Sequence, residues 1–139
     1  MAAMLHELHT KPKDSEKITI NLGYVDLGHI DLLVAETFYA NRTDFIRTAI
    51  RNQLERHAET TKQSVARKTL DLGLRTFTRK DLEDVRAAGR TLEIHVLGLA
   101  SIADDVTPEL ARATIASIEV LGALHASADV KAALQDRTR

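Results

Sequence analysis

Apolar and polar positions alternate over Lys17-Ile18-Thr19-Ile20-Asn21-Leu22, so residues 16–23 read as a β-strand with one apolar face. Ile18, Ile20 and Leu22 share that face. Lys17, Thr19 and Asn21 share the other, and Gly23 ends the strand. The period then lengthens. Leu27, Ile30, Leu33, Val34, Thr37 and Phe38 follow helical spacing, which predicts a first helix over 25–38 with Asp26 as its N-cap. Tyr39-Ala40-Asn41 is a turn, and Asn41 is a good N-cap for a second helix. That helix carries Phe45, Ile46, Ala49, Ile50 and Leu54 on one face, with Asp44 in its first turn, where its charge suits the helix dipole. Nothing between Glu59 and Lys68 breaks a helix, but Thr60-Thr61-Lys62-Gln63-Ser64 is polar. Residues 61–69 therefore read as a linker with helical character.

No second strand lies within hairpin distance of residues 16–23. A lone strand leaves a row of backbone donors and acceptors unpaired, which is costly when its apolar face is buried. Pairing with the same strand of a second chain removes that cost. The product is a two-stranded antiparallel ribbon, a shape that enters the DNA major groove. Ile18, Ile20, Leu22, Ile30, Val34, Phe45, Ile46, Ala49, Ile50 and Leu54 are then the expected shared core of a homodimer. A segment this short buries too little on its own.

The second half repeats itself. Leu70-Asp71-Leu72, Ile94-His95-Val96 and Ile118-Glu119-Val120 recur at a spacing of 24 residues, as do Leu82, Val106 and Val130, and the pair Leu110 and Leu134. Gly98 and Gly122 keep the same spacing, while Gly73 falls one place out of it. Each repeat reads as a short strand, a glycine turn, and a segment starting near Asp81, Asp105 or Asp129. Thr78, Thr107 (ahead of Pro108) and Ser127 are placed to cap helices there. The period predicts a small three-repeat solenoid over 70–139, with either strand–helix or all-strand coils. The expected class is α+β, and the expected order is an arm over 1–14, a DNA-binding and dimerisation domain over 15–60, the linker, and the repeat domain.

Composition narrows the chemistry. The chain has 139 residues, no Cys and a formal net charge of -1, so disulfides, thiolate metal sites and Cys nucleophiles are excluded. No apolar run approaches the ~20 residues of a membrane helix, and the amino-terminal stretch has no secretory pattern. From Lys11 to Glu59 there are seven basic and eight acidic residues, so DNA affinity has to come from placement rather than from bulk charge. Lys11 and Lys13 precede the strand and are candidates for phosphate or neighbouring-groove contacts. No nucleophile–base pair, phosphate-cradling glycine loop or paired carboxylate is recognisable, so no enzyme and no cofactor is expected.

Two stretches, Lys17-Ile18-Thr19-Ile20-Asn21-Leu22 and Asn41-Arg42-Thr43-Asp44-Phe45-Ile46-Arg47-Thr48-Ala49-Ile50, resemble the ribbon–helix–helix DNA-binding superfamily of the Arc/MetJ/CopG type. The resemblance covers roughly residues 15–58. It implies base contacts from Lys17, Thr19 and Asn21, whose side chains suit guanine, thymine and adenine edges in the major groove. It also implies a phosphate anchored at the N-terminus of the second helix, at Asn41, Arg42 and Thr43, with Arg47 in support. The implied protein is a bacterial transcriptional regulator acting as a repressor on double-stranded DNA, cytoplasmic and nucleoid-associated. The repeats would multiply half-site contacts by oligomerisation. Two other expectations stay open: an antitoxin whose C-terminal half binds a toxin, and a scaffold that polymerises through its repeats. Nickel-responsive members of the superfamily carry a His-x-His plus Cys site in a second domain. This chain has neither, and no metal site is expected.

Overall fold

The computed structural model describes residues 15–139; the expected arm and its Lys11 and Lys13 lie outside the described residues. The chain divides into two compact units, one ending at Gln53 and the other spanning Leu54–Arg139. Residues 16–23, the expected ribbon strand, lie in neither a helix nor a ladder within the single chain. Helix α1 spans Tyr24–Ala35 and α2 spans Arg42–Arg56. Gly23, not Asp26, is the N-cap of α1. Its backbone is extended and its carbonyl accepts the first helical bond, from Leu27, while Asp26 lies in the first turn.

The first helix is shorter than its apolar spacing suggests. Thr37 takes a left-handed conformation (φ 67), and the chain closes with Phe38 N–H on the Leu33 carbonyl and Thr37 N–H on the Val34 carbonyl. This paired closure ends a helix by satisfying its last carbonyls, so Thr37 and Phe38 continue the apolar pattern without continuing the helix. Of the described residues in this unit, Ile30 alone is buried, at 6% exposure; Ile18 and Ile20 are 79% and 63% exposed.

The second unit opens with α3, Ala58–Lys68, which closes on a left-handed Thr69. Three parallel strands follow, β1 (Asp71–Phe77), β2 (Leu92–Ile102) and β3 (Ile115–His125), in the order β1-β2-β3. Helices α4 (Arg79–Ala87), α5 (Pro108–Thr114) and α6 (Ala128–Ala133) follow the strands in turn, so each repeat is a strand–helix unit. Thr78, Thr107 and Ser127 cap these helices, each side chain accepting a backbone N–H three residues on. Leu82, Val106 and Val130, equivalent in the repeat, are all buried. With Ile94, Val96, Ile115, Ile118 and Leu134 they form one core between the sheet and its helices.

The glycines are not turns. Gly73, Gly98 and Gly122 lie in the middles of the strands and are paired side by side across the sheet. All three have positive φ, at 115°, 138° and 123°. A methyl group at Gly98 would collide with the Gly73 carbonyl, and one at Gly122 with the Gly98 carbonyl. The glycine column therefore sets the register. Leu72 pairs with Leu97 rather than with Val96, so the 24-residue spacing of the apolar triplets does not hold between β1 and β2. Gly73, out of step in the sequence, is in step in the sheet.

The closing residues brace the far edge. The Arg137 guanidinium donates to the Arg112 and Ile115 carbonyls, Arg112 pairs with Asp136 at 2.9 Å, and Arg139 N–H donates to the Ile118 carbonyl. The Arg112 hydrogen bond holds the Asp136 carboxyl below its ordinary range.

Two glycine substitutions separate backbone strain from collision. Gly73→Ala meets no atom and should cost only the strain of a positive-φ alanine, about 1–3 kcal/mol. Gly98→Ala adds the backbone collision and should exceed that cost by at least about 1 kcal/mol. Denaturant unfolding of the full chain measures both.

Candidate nucleic-acid interface

Lys17, Thr19 and Asn21 are all exposed, and none of their side chains is engaged in a described hydrogen bond or ion pair. Their chemistry is that of a base-reading surface: an ammonium donor, a hydroxyl with a methyl group, and an amide that can donate and accept together.

The start of α2 is built around its cap. Asn41 Oδ1 accepts the Asp44 N–H at 2.8 Å, and Asp44 Oδ2 accepts the Ala40 N–H at 2.9 Å. Two side chains thus hold the turn from both directions. Tyr39 stacks edge-on against Phe45 with ring centroids 5.0 Å apart, which fixes the angle at which the chain enters the helix. The first amides of a helix have no intrahelical acceptor. With Asp44 N–H taken by Asn41, the amides of Arg42 and Thr43 are the ones left to face an anion.

Arg42 is not a free cation. Its Nε and Nη2 donate to both carboxylate oxygens of Asp31, each at 2.8 Å, and this fork ties α1 to the start of α2. The same hydrogen bonding holds the Asp31 carboxyl below, and the Arg42 guanidinium above, their ordinary ranges. Both side chains are about half exposed (51% and 56%), so the pair acts on orientation more than on stability. Thr43 and Arg47 are exposed on α2. The net field at this helix start is modest, because Asp31 and Asp44 offset Arg42. Asn41 acts as a cap, Arg42 as a brace, and Thr43 and Arg47 remain open to a ligand.

Sequence reasoning missed the brace. Asp31 and Arg42 are eleven positions apart on different helices, and no periodic rule links them. Two other features carry no site chemistry. An open depression of about 300 Å³ on the second unit is lined by Arg79, Glu83, Arg86, Ala87, Thr107 and Leu110, but Arg79 is paired to Glu83 at 2.8 Å. Among the described residues, no group of three or more His, Asp or Glu side chains is placed to hold a metal, and no helix is long and apolar enough to cross a membrane.

A polar segment ahead of two helices, the second opening on a capped N-terminus, is the layout of a small DNA-binding regulator. A family model matches residues 13–131, and the chain belongs to the ribbon-helix-helix transcriptional regulator family. Proteins of that family bind DNA, usually form dimers and are typically non-enzymatic. The match extends far beyond residues 15–58 and takes in all three strands of the second unit, so the repeats lie within the family's own region. No curated protein and no solved structure matches the chain.

The brace is testable through its proton. Arg42→Gln should move the Asp31 titration up toward the ordinary carboxylate range, followed by carboxyl carbon chemical shifts. A carboxylate with a depressed folded pKa contributes stability above its unfolded pKa and loses it as pH falls through the folded one. In the unaltered chain the Asp31–Arg42 tie should therefore persist below the usual range and give way only under stronger acid.

Proposed function

We propose that the protein is a sequence-specific DNA-binding repressor whose residues 16–23 pair with the same residues of a second copy to make a ribbon for the major groove. The observation that carries this reading is the family match over a segment whose polar side chains, Lys17, Thr19 and Asn21, are exposed and unengaged. Exposure of Ile18, Ile20, Ile50 and Leu54 supports the dimer, since a single chain leaves these side chains in water. In this reading Leu22, Ile30, Val34, Phe45, Ile46 and Ala49 complete the shared core.

Base readout belongs to Lys17, Thr19 and Asn21. Phosphate is held by the amides of Arg42 and Thr43 at the Asn41-capped helix start, with Arg47 adding charge. Arg42 contributes by fixing that helix start against α1 through Asp31. Base contacts set sequence preference, and phosphate contacts set register and salt dependence. The strand–helix repeats of the second unit form a short solenoid that promotes assembly of copies on adjacent half-sites. With a net charge of -1, affinity rests on the number and placement of contacts.

Selected DNA sequences, obtained by sequencing fragments that co-purify with the protein, provide the probe. Lys17→Ala with Asn21→Ala should lose selectivity, at about 1–3 kcal/mol for each lost base contact, while the chain stays dimeric. Unchanged selectivity at matched salt would overturn ribbon readout. Arg47→Ala should weaken binding to all sequences alike and lower the salt slope by about one. A change confined to one base position would overturn its assignment to phosphate.

A further inference from the structure

Helices α4, α5 and α6 pack with one face of the three-stranded sheet in a single core. Side chains on the helix face alternate with those on the outer face: Ile94, Val96, Ala100 and Ile102 of β2 are buried under the helices, while Leu97 and Leu99 point the other way. The strand register extends this outer face across the sheet. Leu72, Leu97 and Leu121 form one row, and Leu74, Leu99 and Ala123 form the next. The glycine column lies between the two rows along the strands, at the alternate positions that do not contribute to the outer face. Leu72, Leu74 and Leu121 are 74%, 70% and 48% exposed.

Over Asp71–Arg75 of β1 the usual pattern is reversed. Of the three positions in register with buried side chains of β2, Phe77 is buried like its partner Ile102, but Asp71 and Arg75 are exposed and 3.9 Å apart as an ion pair. The leucines of β1 lie on the side away from these helices. An antiparallel or mixed sheet with one solvated face puts its polar residues on that face, and a parallel sheet normally has both faces covered. The outer face of this sheet is therefore built to be covered.

The geometry points to a second copy of this chain as the cover, with the outer leucine face of one copy packed on the same face of the other. This rests on the dimer described under Proposed function. The two rows carry no charged side chain, so like faces meet without repulsion, as a two-fold contact requires. Their charged margin lies beyond them, where Lys68 pairs with Glu119 at 3.3 Å beside His95. The area argues for a tethered partner. Five leucines bury roughly 300–600 Å² per copy, short of the ~800 Å² per partner of an independent interface. For copies already joined through their ribbons the contact would be intramolecular, and a smaller surface suffices to close it. A separate protein, arriving untethered, would find too small a surface.

The chain has no Cys, so single cysteines report cleanly. In the full-length protein, Leu99→Cys treated with a short bismaleimide should give covalent dimers at least about tenfold faster than Asp105→Cys, which is exposed in the turn before α5 on the opposite side of the sheet. Adding Leu72→Lys and Leu74→Lys, or Leu121→Lys alone, should remove that advantage. These side chains are exposed in the single chain, so the fold should tolerate the changes, and light scattering should still read a dimer. Equal rates for Leu99→Cys and Asp105→Cys on a protein of dimer mass would overturn the face contact and leave the ribbon dimer standing. So would crosslinking that survives the lysines. A monomer mass at micromolar concentration would overturn both together.

Discussion

One copy of residues 16–54 leaves its strand-like segment without a ladder partner and most of its apolar side chains exposed. The strand-like segment has no ladder, and of the described residues before Leu54 only Ile30 is buried. Open apolar surface in water carries a cost that packing against a second chain would remove. That cost connects local sequence to function. A ribbon made from two copies presents two identical polar faces related by symmetry, and a symmetric reader calls for a symmetric DNA site. In the reading proposed above, the small core of a single copy thus also defines how the segment would address DNA.

The second unit follows the opposite logic. Its contacts are between neighbours in sequence order: each strand lies beside the next, and each helix packs against the next. Its core is closed on the helix side by the branched residues of three equivalent positions. What it lacks is a cover for the other face. The glycine column holds the strands in one register because a Cβ at Gly98 or Gly122 would strike the neighbouring backbone. That register is what aligns the outer leucines of the three strands in rows.

Much of this was legible in the chain because it obeys local rules. The caps at Asn41, Thr78, Thr107 and Ser127 follow from a polar side chain and the amide three residues on, and all four form. The repeat at Leu82, Val106 and Val130 was visible for the same reason. The end of α1 was not, because Thr37 adopts a conformation that β-branched residues rarely take, and the apolar spacing through Phe38 gave no sign of it. The register between β1 and β2 was misread because the apolar triplets kept a regular spacing while the glycines broke it, and glycine backbone geometry outranks side-chain periodicity when strands pack this closely. The Asp31–Arg42 fork joins two helices across a turn, a contact that exists only once the turn has formed.

That fork also changes how charge is weighed at the helix start. Counting residues puts Arg42 among the phosphate-binding cations, yet one edge of its guanidinium, Nε and Nη2, is already matched to both oxygens of Asp31. A paired arginine contributes little net field at a distance, but it holds the first turn of α2 in place while the amides of Arg42 and Thr43 stay open. An ordered set of neutral donors favours an anion at one position and in one orientation, whereas mobile cations favour it anywhere nearby. For a chain of almost no net charge, such placement would let contacts with bases decide where the protein binds.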